Sequence, residues 1–135
     1  MTRYLLDTNT VSALSRTFGE SVRIRLNQLS SNDTVYTSVI VAAEIRYGLS
    51  KRGLSRLTRE MTFVLGQITV NPFVEPMDKV YADLRADLER RGTPIGANDL
   101  WIAAQALHDG SVLVTDNTRE FGRVPGLAVE NWLRT

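Results

Sequence analysis

Four acidic residues stand where a carboxylate could do chemistry. Asp7 directly follows the apolar run Tyr4-Leu5-Leu6, and Asp116 ends the run Val112-Leu113-Val114-Thr115. Asp99 begins a helical-looking stretch after Pro94-Ile95-Gly96-Ala97-Asn98, and Glu44 lies within the apolar stretch from Val39 to Leu49. A carboxylate at the carboxyl end of a buried strand sits where open α/β sheets place their ligands. Brought to one pocket the four would repel, since two carboxylates about 4 Å apart cost on the order of 4 kcal/mol at an effective dielectric near 20. Convergence therefore implies a cation. With no Cys and a single His, the inventory suits a hard divalent ion, Mg²⁺ or Mn²⁺, rather than zinc. That histidine, His108, falls near the end of a predicted helix, where a dipole-facing or surface role accounts for it. A carboxylate-held divalent ion activates water and stabilises the charge that builds on a phosphodiester during in-line displacement, so hydrolysis of a nucleic-acid backbone fits.

Taken singly, each acid also has a plainer reading. Asp7 could cap a helix beginning at Thr8, and Asp99 could be a first-turn acid or, with Asn98, part of an N-cap. Asp116 with Asn117 could shape a turn, and Glu44 could lie on an exposed helix face. The combination is more specific than its parts.

The elements that must position these residues alternate. Short β-rich runs are predicted at Arg3 to Leu6, Thr34 to Thr37, Ile68 to Val74, Ser111 to Thr115 and Leu127 to Val129. Helical spacing links Val22, Leu26 and Leu29; Ala42, Ile45 and Leu49; and Leu54, Leu57, Met61 and Leu65. A further helix is marked by Tyr81, Leu84 and Leu88, opened by Pro76 and Asp78, and another by Leu100, Ala103, Ala104 and Leu107, ending near Gly110. Strands alternating with helices imply right-handed βαβ units and a parallel sheet, so the fold class is α/β.

At 135 residues the chain fits one domain, 1–135, and Gly92-Thr93-Pro94 and Val124-Pro125-Gly126 read as turns within it. The absence of Cys excludes disulfide scaffolds and thiolate metal sites. No apolar run reaches the roughly 18 residues of a membrane span, and Asp7 interrupts the N-terminal one, so a soluble, cytoplasmic protein is expected. A net charge of +1 predicts no strong global attraction to nucleic acid. Of the 16 basic residues all but Lys51 and Lys79 are Arg, which favours bidentate contacts to phosphate, although a GC-rich genome gives the same bias. Neither a phosphate-binding Gly-rich loop ending in Lys-Ser/Thr nor a dinucleotide fingerprint is present, and one His completes no Ser/His/Asp set.

Read in order, Leu5-Leu6-Asp7-Thr8-Asn9, Ala43-Glu44-Ile45-Arg46-Tyr47-Gly48, Gly92-Thr93-Pro94-Ile95-Gly96-Ala97-Asn98-Asp99 and Val114-Thr115-Asp116-Asn117-Thr118-Arg119-Glu120-Phe121 resemble the motifs of PIN-domain ribonucleases. The likeness is nearest to VapC-type toxins of bacterial toxin–antitoxin pairs, and it extends to the closing Val129-Glu130-Asn131-Trp132. It implies a three-layer α/β/α domain around a parallel sheet of four to five strands. It also implies Mg²⁺- or Mn²⁺-dependent endonucleolytic cleavage of RNA, with initiator tRNA a candidate target, a homodimer, and inhibition by a cognate VapB-type antitoxin. Asp7, Glu44 and Asp99 match the family's acidic positions. At the fourth, many members carry an acid two residues after the Thr, where this chain has Asn117, with Asp116 one residue earlier. By the same resemblance Thr8 and Thr115 would hold carboxylates or waters in place. Lys51, Arg52, Arg56 and Arg59 form a basic stretch that could bind RNA phosphates or simply face solvent.

Two other readings are open. A phosphatase of the haloacid dehalogenase type also places Asp after its first strand, but wants a second acid two residues on, where this chain has Asn9, and a downstream Lys. A non-catalytic module, whether a phospho-receiver or a PIN-like binding domain, would need a Lys after a late strand or would have lost acids.

Overall fold

The computed structural model describes residues 1–15, 19–53 and 55–134. Its centre is β1 (Arg3–Leu6), whose Leu5 and Leu6 are fully buried, as expected of a strand covered on both faces. β2 (Thr34–Ser38) pairs with one edge of β1 and β4 (Val112–Val114) with the other; β3 (Thr69–Asn71) and β5 (Ala128–Glu130) complete a five-stranded, all-parallel sheet in the order β3-β2-β1-β4-β5. Every connection is therefore a crossover, and helices flank the sheet. The expected strand over Ile68 to Val74 is shorter than its apolar run, because Pro72 has no N–H to continue the ladder.

The helices are α1 (Thr8–Ala13), α2 (Glu20–Asn27), α3 (Val39–Arg52), α4 (Ser55–Gln67), α5 (Met77–Arg90), α6 (Ala97–Asp109) and α7 (Thr118–Phe121). Their buried residues follow the predicted spacing: Ala42, Ile45 and Leu49 in α3, Met61 and Leu65 in α4, Leu84 and Leu88 in α5. Leu54, assigned to the α4 stripe by spacing, lies outside the described residues. Gly53 and Gly110 end α3 and α6 in the left-handed conformation, φ 67° and 65°, which other residues adopt only at a cost. Leu5, Leu6, Val41, Leu88, Ile102, Leu113 and Phe121 belong to one continuous apolar core. Among the described residues no helix is long and apolar enough to cross a membrane.

The consequence for function lies in the strand order. Beside β1 the chain winds toward β2 and β3, and on the other side toward β4 and β5. The carboxyl ends of β1 and β4 thus flank a topological switch point, the crevice where open α/β sheets bind ligands. Asp7 leaves β1 there, and Thr115 and Asp116 leave β4.

Candidate active site

Asp7 is fixed before any ligand is considered. Its backbone N–H continues the β1–β4 ladder by donating to Val114 O at 3.0 Å, and its side chain caps α1. Oδ1 accepts from the backbone N–H of Thr10 at 3.1 Å and from the Thr10 hydroxyl at 2.9 Å. The Thr115 hydroxyl also bonds the carboxylate, while Thr115 Oγ1 accepts the Asn117 N–H at 3.0 Å. The capping reading of Asp7 is therefore seen directly, and the same side chain stands at the switch point. Burial nevertheless outweighs these donors and, with the Asp116 charge adding to it, holds the Asp7 carboxyl above the usual carboxylate range.

Glu44 enters from α3. Ser38 starts that helix by accepting the Ile40 N–H at 3.0 Å, and its hydroxyl donates to buried Gln105 Oε1 at 2.6 Å. Gln105 belongs to α6, so this buried bond ties together the helices that carry Glu44 and Asp99. Glu44 itself is half-buried and accepts from the Thr8 hydroxyl at 2.8 Å. Thr8 therefore holds a carboxylate in place, as the family resemblance implies for it.

Asp99 lies in the first turn of α6, whose N-cap is Gly96 rather than Asn98. Its carboxyl is pushed up to about 7, by burial first, then by the charge of Glu120 and the hydrogen bond to it, then by the charges of Glu44 and Asp7. Glu120 moves the other way. Its burial is outweighed by the Gly96 N–H at 2.7 Å, the Asn117 side-chain amide at 3.0 Å and the proton of Asp99, so its carboxyl is held below the usual range. Within the pair the proton is favoured on Asp99 and the charge on Glu120.

Asp99 thereby stands within electrostatic reach of both Glu44 and Asp7. Asp116 is placed differently. It stands on the cleft rim, accepts the Asn9 side-chain amide at 3.2 Å, and acts on Asp7 through its charge. Asn117 supplies no cap bond to α7; its amide orients Glu120. Glu120 is the acid that the sequence reading did not single out. Its signal was the spacing Asn117-x-x-Glu120, which at a helix start turns the acid back toward the N-cap.

Among the described residues, no three acidic or histidine side chains stand, as placed, in an arrangement that would already hold an ion. The donor set nonetheless fits Mg²⁺ or Mn²⁺. It is made of oxygens alone, and the burial and like charge that raise the Asp99 carboxyl are what a divalent ion would offset. The requirements of the dehalogenase-type phosphatase are not met: Asn9 is turned to Asp116, and Lys51 and Lys79 are exposed on the last turn of α3 and the first turn of α5.

Beside the acids lies an open cleft of about 470 Å³, lined by Thr8, Asn9 and Ser12 of α1, Glu44, Gly48 and Arg52 of α3, Leu57 and Met61 of α4, and Asp116. Glu44 and Asp116 are both reached from it.

The chain resembles known proteins along nearly its whole length. The family model for the PIN domain matches residues 4–127. Ribonuclease VapC2 of Rickettsia felis is 36% identical over 130 residues, covering 96% of this chain and 97% of the relative. A protein of Salmonella typhimurium named tRNA(fMet)-specific endonuclease VapC is 33% identical over 141 residues, covering 98% and 99%. Among solved structures, VapBC2 from Rickettsia felis bound to a DNA fragment from its promoter contains a chain that superposes with a TM-score of 0.89 at 35% identity, over 97% of this chain and 99% of that one.

Proposed function

Since the chain belongs to the PIN domain family, among its VapC-type ribonucleases, we propose that it is a Mg²⁺- or Mn²⁺-dependent endoribonuclease and the toxin of a toxin–antitoxin pair. The observation that carries this reading is the Asp7, Glu44, Asp99 and Glu120 cluster at the switch point, with Asp99 pushed up to about 7 by burial and like charge. The ion, when bound by Asp7, Glu44 and Asp99, would supply a Lewis acid for the phosphate oxygen and a lowered pKa for water. The rest is done by the chain. Thr8 and Thr115 hold Glu44 and Asp7 against rotation, Asn117 and the Gly96 N–H fix Glu120, and the Asp99–Glu120 pair keeps one proton that loading of the site would release.

The substrate we propose is a tRNA, initiator tRNA first, because a relative that spans nearly the whole chain carries that specificity in its name. The partner is a VapB-type antitoxin. An apolar cavity of about 360 Å³ between Leu14, Leu26, Val35, Phe63 and Ile68 offers it a seat, and Phe63 at its rim is 68% exposed. A basic antitoxin side chain directed at the acids would complete the inhibition. A homodimer in the cytoplasm is part of the same reading. Val39, Tyr47 and Val74 are all exposed large apolar residues, and Trp101, stacked on Tyr81 at 3.6 Å, stands in a cavity beside Tyr47.

The test is incubation of the purified protein with total RNA in Mn²⁺ and in EDTA, followed by sequencing of new 5′ ends. New ends confined to tRNA and absent in EDTA are expected. Cleavage that survives chelation would overturn the metal-dependent reading.

A further inference from the structure

Residues 44, 48 and 52 of α3 are four apart and so share one face of the helix. Along that face the chain places an acid of the site, a glycine and an arginine, and all three line the cleft of about 470 Å³. Glycine is a poor choice for a helix interior. Nothing in the protein's own packing requires it, because a Cβ at Gly48 would meet no atom within 4 Å. Gly66 of α4 has the same freedom, but it is exposed one residue before its helix ends. Gly48 instead faces the cleft in mid-helix, where a missing side chain lets a ligand come against the backbone. Arg52 is exposed and has no ion-pair partner among the described residues, although the cleft it lines also holds Glu44 and Asp116. From Glu44 to Arg52 is eight residues, roughly 12 Å at 1.5 Å per residue, so the acid and the cation are spread along the cleft rather than set on one phosphate.

We infer that this cleft is the track of the RNA strand beside the scissile phosphate, with the sugar–phosphate backbone passing over Gly48 and a flanking phosphate held by Arg52. The inference rests on the ribonuclease reading and adds to it a polarity: acids at the cutting end, one cation at the other. The polar residues of the lining argue for RNA, and the apolar ones beside them, Ile45, Leu49, Leu57, Met61 and Leu133, can take the face of a base. Asn9 and Ser12 suit ribose hydroxyls, and the Arg52 guanidinium, without an ion-pair partner among the described residues, suits phosphate in bidentate fashion.

The probe is a fluorescein-labelled anticodon stem-loop of initiator tRNA. Its binding to the full-length protein is measured against salt in an Asp99→Asn background, and its cleavage in Mn²⁺ with Asp99 intact. Arg52→Gln is expected to lower the slope of log affinity against log salt by about 0.7, the loss of one single-strand phosphate contact, and to raise KM roughly ten-fold with kcat little changed. Arg52→Lys should keep the slope. Gly48→Ala should raise Tm, because alanine favours helix, yet raise KM several-fold, a pair of opposite signs that a structural role for Gly48 does not give. An unchanged slope in Arg52→Gln overturns the inference, as does Gly48→Ala with raised Tm and unchanged KM. Gly48→Ala that weakens antitoxin inhibition while KM stays constant assigns the cleft to the antitoxin and also overturns it. A slope that falls as expected in a protein that cuts no RNA keeps the track and removes the ribonuclease reading.

Discussion

Two acids of α6 are built in opposite ways. Asp109, at the end of α6, is supplied with partners: the Tyr36 hydroxyl donates to Oδ2 at 2.6 Å and His108 Nδ1 lies 2.9 Å from Oδ1. Buried Ser111 shares the Tyr36 hydroxyl, and Arg3 reaches the Asp109 carbonyl at 3.1 Å while lying over the Tyr36 ring. At Asp99, at the other end of α6, the arrangement is reversed. Asp99 faces Glu120, Glu44 and Asp7 rather than a cation, and keeps its proton to about 7. A carboxylate whose neighbours satisfy it holds a fold together. One whose neighbours repel it is kept at a cost in stability, and the contrast sets Asp99 apart from Asp109 without reference to any relative.

The contrast can be broken most forcefully at the acids themselves. Asp7→Asn and Asp99→Asn are expected to lower RNA cleavage on the order of 10³-fold or more. Stability should move the other way for Asp99. Its folded pKa is raised, so in the metal-free wild type the unfolded state loses this proton first, and stability falls as pH rises from about 4 to about 7, then levels. Asp99→Asn removes that fall. Tm measured in EDTA at pH 5 and pH 8 should therefore converge in the variant, with a gain at pH 8 on the order of 1 kcal/mol after solvent screening. A variant less stable than wild type at pH 8 would place Asp99 among the structural acids.

Glu120→Gln is expected to have a smaller effect, roughly 10- to 100-fold in activity. It also removes the charge nearest Asp99, so the acid limb of the pH–rate profile should move to lower pH. An unmoved profile would mean that the pair is not coupled in solution. Tyr36→Phe tests the other acid. Deleting the donor to Asp109 should cost roughly 1.5–3 kcal/mol in chemical denaturation and leave kcat/KM unchanged. Asp116→Asn should be the mildest, with Mn²⁺ affinity lowered less than about ten-fold, because its carboxylate is occupied with Asn9 at the rim. A loss as large as that of Asp99→Asn would move Asp116 from the rim into the site.

Much of this frame was legible before any coordinates. Apolar runs ending in Asp7 and Asp116 gave two strands and their carboxyl ends, and the spacing in α3, α5 and α6 placed Glu44 and Asp99 on helices. The sheet order was not readable, because parallel pairing is set by crossovers between distant segments and leaves no local mark. α7 was missed for a different reason. It has four residues, too few to express a helical period, and Glu120 was hidden with it. The division between Asp116 and Asn117 was also beyond the sequence, since both follow one strand and only their contacts, with Asn9 and with Glu120, tell them apart.

The most direct test of the contrast is calorimetric titration of Mn²⁺ into wild type and Asp99→Asn, each in two buffers of different ionisation enthalpy and at pH 6 and pH 8. Frustrated acids built for an ion predict tighter binding at pH 8 than at pH 6 in wild type, with close to one proton released per ion at pH 6. They also predict weak binding without proton release in the variant. Equal affinity and equal proton release in the two proteins would contradict the account, because Asp99 would then neither hold the proton nor meet the metal.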